Sequence, residues 1–139
     1  MSKRNPDIAG EDAGIIAAVF ESGATAVLDA SRYNESNCAD PRYTFGTVHV
    51  EGSKGHIELD TDGKLTLQLL GEAPREIEYA HDRKGFAGDC VYALQRRFTD
   101  CMLQDLPFES TGKDYLKTIA LVEACYQSNE TGQVVGTHQ

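Results

Sequence analysis

The chain has 139 residues, of which 40% are hydrophobic and 25% charged, with a formal net charge of −9. That length suits one globular domain, and the balance of apolar and charged residues excludes a disordered chain. The negative charge excludes partners held through phosphates, whether nucleic acid or an anionic membrane. No apolar run approaches the ~18 residues of a spanning helix, and the opening residues carry no signal-like apolar stretch, which points to the cytoplasm.

Residues 14–20 (GIIAAVF) and 24–31 (ATAVLDAS) are short apolar runs joined by Glu21-Ser22-Gly23, a pattern that predicts a hairpin. Both faces are apolar, because Ile15, Ala17 and Val19 alternate with Ile16, Ala18 and Phe20. Each face therefore needs a cover. After the polar stretch 34–40, strand signals resume at 43–51, 56–60, 64–70 and 75–79, with Gly52-Ser53-Lys54-Gly55 and Thr61-Asp62-Gly63 as turns. These predict a meander, giving about four to six strands.

The apolar period then changes from two to 3.6. Val91, Leu94, Phe98, Cys101 and Met102 mark a helix over 86–105, ended by Leu106-Pro107. Thr111 with Asp114 predicts a capped second helix, with Tyr115, Ile119, Val122 and Tyr126 as its buried stripe and Gly132 as its stop. Val134-Val135 is expected to form a short strand. Cys38, Cys90, Cys101 and Cys125 include no Cys-x-x-Cys pair, so reduced structural thiols are expected rather than a zinc site or disulfides.

Strands followed by helices predict an α+β fold, an antiparallel sheet with two helices packed on one face. The other face is expected to meet a second copy across a two-fold axis, unless residues 1–13 or 34–42 fold over it.

From Glu11 to Val135 the order of elements and several segments resemble one family. The segments are EDAGIIAAVFESGATAVLDASRYN, VHVEGSKGHIELDTDGKLTL, GFAGD, and PFESTGKDYLKTIALVEACYQSNETGQVV. Together they resemble the carboxy-terminal domain of the Gfo/Idh/MocA (glucose-fructose oxidoreductase, inositol dehydrogenase) family. The resemblance implies a domain that forms a substrate wall and oligomer interface beside an amino-terminal Rossmann domain holding NAD or NADP. It also implies hydride transfer on sugars, inositols and related polyols.

The chain departs from the family where the chemistry would lie. It has no Gly-x-Gly-x-x-Gly loop, no Glu-Lys-Pro motif and no Asp-x-x-His helix, so no cofactor is expected to bind this chain alone and no catalytic residue is assigned. Those parts are expected upstream of Met1.

Four groups remain as candidate sites. Arg32, Tyr33 and Asn34 end the second strand, where the family resemblance implies contact with the substrate. His81, in the His81-Asp82-Arg83-Lys84 loop, is a second substrate-side candidate. His49, Glu51, His56 and Glu58 fall on one face of a hairpin, where they suit either a metal or a solvated set of opposite charges. Tyr92, Tyr115 and Tyr126 are expected as core aromatics. The favoured reading is the substrate-side, dimerising domain of an oxidoreductase that is not competent alone. The alternative is a standalone small-ligand-binding or dimerisation module that has lost the redox domain, with a small sugar or polyol as the ligand.

Overall fold

A computed structural model describes residues 1–33, 35, 37–38, 46–80, 84 and 87–137. The described residues form six strands and two helices in the order β1 (Ala13–Val19), β2 (Thr25–Ser31), β3 (Val48–Gly52), β4 (Gly55–Leu59), β5 (Leu65–Leu69), β6 (Arg75–Ile77), α1 (Cys90–Gln104) and α2 (Gly112–Thr131). The fold is α+β, as expected. Its strands divide into a two-stranded sheet, β1-β2, and a four-stranded antiparallel meander, β3-β4-β5-β6. The chain separates into two compact units, one of residues 1–35 with 109–139 and one of residues 36–108.

In the first unit β1 and β2 pair from Ala13↔Ser31 to Val19↔Thr25. The turn closes because Phe20 N–H donates to Ala24 and Gly23 N–H to Phe20, each at 2.9 Å. The N-terminal segment folds back on β1: Ser2 N–H donates to the Ala13 carbonyl at 2.7 Å, and the Met1 side chain lies over Gly14. This meets part of the need for a cover, by the local route. Ile15, Val19, Val27 and Leu28 stay exposed.

Helix α2 starts as its sequence predicts. Thr111 is the N-cap, its Oγ1 accepting from Asp114 N–H at 3.2 Å and donating to Asp114 Oδ2 at 2.6 Å. The acid thus returns to the cap hydroxyl rather than to the cap amide of a full capping box. Gly132, at φ 67°, ends the helix. Residues 134 and 135 form no strand, and Val134 is exposed. A lone two-residue segment with no neighbouring strand to pair with gains no ladder bonds.

In the second unit the meander register is Val48↔Leu59, Val50↔Ile57, Ile57↔Leu67 and Leu65↔Ile77. Paired residues share a face, so one side of the meander is apolar except for Arg75, which pairs with Leu67, and the other carries His49, Glu51, His56, Glu58, Thr66, Gln68 and Glu76. Gly55 is required where β4 begins. Its φ is 145°, and a Cβ there would sit 2.1 Å from the Gln68 carbonyl oxygen.

Helix α1 is shorter than its periodicity suggests. It begins at Cys90 because Ala87, Gly88 and Asp89 all take positive φ, a conformation that interrupts a right-handed helix. It ends at Asp105, also left-handed, with Leu106 N–H donating to Cys101 at 2.9 Å. Cys101 is fully buried, and Phe98 meets Phe108 edge-on at 5.3 Å between centroids. No disulfide joins the four cysteines.

Within its own unit neither helix packs broadly on a strand, so the cover expected from the helices is not made there. Tyr92, Tyr115 and Tyr126, expected as core aromatics, are exposed, as is most of each helical stripe. Among the described residues no helix is long and apolar enough to cross a membrane.

Candidate functional site

The described polar groups converge most tightly where β2 ends. Asp12, just before β1, is 6% exposed. Its Oδ2 accepts the backbone N–H of Arg4 and of Asn5, each at 2.8 Å, and the Tyr33 hydroxyl at 2.6 Å. The Asp12 carbonyl accepts Arg32 N–H at 3.1 Å. The Arg4 guanidinium lies over the Tyr33 ring, 5.7 Å from its centroid, at cation–π distance. Asp12 Oδ1 is buried without a hydrogen-bond partner.

This arrangement shifts both titrating groups. The Tyr33 hydroxyl bond holds the Asp12 carboxyl below the usual carboxylate range; desolvation opposes it, and the Asn5 and Arg4 amides add to the lowering. The same bond pushes the Tyr33 phenol up, with desolvation and the Asp12 charge acting alike and the Arg32 and Arg4 charges opposing. At neutral pH the pair is a carboxylate accepting from a neutral phenol. Glu11 repeats the motif one residue earlier: its Oε1 accepts the Tyr126 hydroxyl of α2, lowering the Glu11 carboxyl and raising the Tyr126 phenol.

Of the sequence candidates, Arg32 and Tyr33 thus belong to one cluster, through a backbone bond for Arg32 and a side-chain bond for Tyr33. Asn34 and His81 lie outside the described residues. Sequence reasoning missed Asp12, Glu11 and Arg4. The only local signal was an acidic pair at the edge of an apolar strand, which equally describes a solvated strand end.

The hairpin set has the predicted register, His49↔Glu58 and Glu51↔His56. The two imidazoles are neighbours, 4.9 Å between centroids with their planes tilted by 30°, and His49 Nε2 is 3.9 Å from Glu51 Oε2. Among the described residues no group of three or more His, Cys, Asp or Glu side chains is arranged to hold a metal. On the meander an open depression of about 370 Å³ is lined by Val50, Ile57, Leu67 and Leu69 with the 52–55 turn.

The first strand leads into a hairpin whose turn amides at Phe20 and Gly23 are spent on Ala24 and Phe20. A pyrophosphate site needs open amides at a helix N-terminus after that strand.

No family model matches the chain. It is similar to a D-apiose dehydrogenase of Paraburkholderia graminis, 32% identical over 96% of this chain and 37% of that protein. A D-apiose dehydrogenase of Rhizobium rhizogenes is 29% identical over 94% of this chain and 39% of that protein. A crystal structure of an oxidoreductase from Agrobacterium radiobacter in complex with NAD+, L-tartaric acid and magnesium superimposes with a TM-score of 0.80 at 26% identity, covering 98% of this chain and 41% of that one. The chain spans about two fifths of the length of the relatives it matches.

Proposed function

Because the chain's resemblance to Gfo/Idh/MocA-type dehydrogenases holds over nearly all of its length, we propose that it is the substrate-side and oligomerisation part of an NAD(P)-dependent oxidoreductase acting on a sugar or related polyol. It acts within a longer polypeptide, carboxy-terminal to a dinucleotide-binding domain, and is not competent for catalysis alone. The observation that carries this reading is the pairing of 96% coverage of this chain with 37% coverage of the dehydrogenase it matches. That is the pattern of a part rather than of a whole enzyme. The nicotinamide would supply the hydride chemistry. This chain's own contribution is Tyr33, with Arg32, at the edge of the substrate space. Asn34 and His81 remain proposals beside them.

The homodimer belongs to the same proposal. Val48 and Val50 on the apolar side of the meander are exposed, and a second copy of the same surface is the simplest cover.

The test is D-apiose-dependent reduction of NAD+ or NADP+ by the polypeptide at its natural length, together with its sedimentation at micromolar concentration. Turnover by a dimer is expected. Absence of turnover with D-apiose and with a panel of pentoses and inositols would remove the oxidoreductase reading, and a monomer throughout would remove the dimer.

A further inference from the structure

Tyr33 is 43% exposed, which leaves the residue open to a ligand, and its hydroxyl oxygen keeps two lone pairs beyond the proton it gives Asp12. What that ligand can be depends on where the phenolic proton is. The proton lies on the 2.6 Å bond to Asp12 Oδ2, a charge-assisted bond about twice as strong as one between neutral groups. Oδ2 is itself fixed from two further directions by main-chain amides at 2.8 Å. The carboxylate cannot swing away without breaking both, and at 6% exposure water does not compete for it. Arg4 over the ring face restrains the ring as well. A phenol has one proton and two lone pairs. With the proton committed, only the lone pairs are left.

We propose that Asp12 is the positioning residue for Tyr33: by holding the phenolic proton it leaves Tyr33 a pure hydrogen-bond acceptor, so the ligand group it meets is a donor, the hydroxyl of a neutral sugar or polyol rather than a carboxylate. The proposal rests on Tyr33 facing the substrate, as put forward above, and adds the polarity of that contact. Asp12 touches no ligand; it acts through Tyr33.

The test uses the polypeptide at its natural length, labelled with ring-¹³C tyrosine, with the Tyr33 signal among the six tyrosines assigned by Tyr33→Phe. D-apiose and its mono-O-methyl ethers, each of which keeps every acceptor and loses one donor, are the probes. In the unaltered protein, D-apiose is expected to shift the Tyr33 resonance, and one ether to bind about tenfold more weakly. That ether's penalty disappears in Tyr33→Phe, the signature of a direct pair. In Asp12→Ala, which leaves the phenolic proton no side-chain acceptor at that position, the Tyr33 phenol titrates nearer the ordinary tyrosine value and D-apiose binds about tenfold more weakly. The ether comparison does not use Asp12→Ala, so instability of that variant does not block the test. If D-apiose shifts Tyr33 but no ether is penalised, or Asp12→Ala binds as tightly as the unaltered protein, the role of Asp12 is overturned while Tyr33 keeps its place at the substrate. If D-apiose binds and leaves Tyr33 unmoved, or does not bind, the placement of Tyr33 fails and the proposal with it.

Discussion

The Tyr33 hydroxyl donates to Asp12 Oδ2 at 2.6 Å across 21 positions of sequence, tying the end of β2 to the residue that opens β1. With Glu11 holding Tyr126 of α2 in the same way, two adjacent carboxylates fasten three parts of the first unit. The sequence brings these groups together only through tertiary folding.

The two pairs set a pH dependence whose sign follows from the shifts. Asp12 and Glu11 titrate lower in the folded chain than unfolded, so their contribution is full above the unfolded carboxyl values of about 4 and is lost as pH falls through the folded ones. Tyr33 and Tyr126 titrate higher, so theirs is full below about pH 10 and is lost as pH rises through the folded values. Thermal unfolding should show a plateau between these limits with both flanks falling. Asp12→Ala and Tyr33→Phe should each flatten both flanks, leaving what Glu11 and Tyr126 contribute.

Gly55→Ala should destabilise the meander by about 3 kcal/mol or more, since the new Cβ meets main-chain atoms that cannot yield and φ is positive. Gly55 lies beside the Gln68 carbonyl oxygen at 2.1 Å from that Cβ position. Chemical denaturation measures the loss, and a value under 1 kcal/mol would contradict the register of β4 against β5.

Asp105→Gly should stabilise the chain by about 0.5–1 kcal/mol, because glycine takes the left-handed position without a Cβ penalty. Asp105 holds φ 53° at the end of α1. Thr111→Ala should act oppositely, costing about 1 kcal/mol through loss of the α2 cap. Both are read from denaturation midpoints.

Sequence legibility followed the range of the interactions. The β3-β4 register was readable because Gly52 and Gly55 flank a two-residue turn, and a turn fixes every pair beyond it. The α2 cap was readable because Thr111 and Asp114 are three residues apart. The start of α1 was not, since the left-handed run at Ala87–Asp89 leaves no mark on apolar periodicity. Nor was the Asp12 cluster. It depends on residues 1–5 bending back to present main-chain amides, and no side-chain pattern reports where an amide will point. The exposed tyrosines were misread for a related reason: periodicity identifies a stripe but not what lies against it.

Whether the chain works as part of a longer dehydrogenase is tested most directly by the mass of the polypeptide that cells make, read by immunoblot with an antibody raised against this domain. The expected result is a band far above 15.2 kDa that copurifies with D-apiose-dependent reduction of NAD+ or NADP+. A band at 15.2 kDa alone would contradict it and leave a domain used by itself.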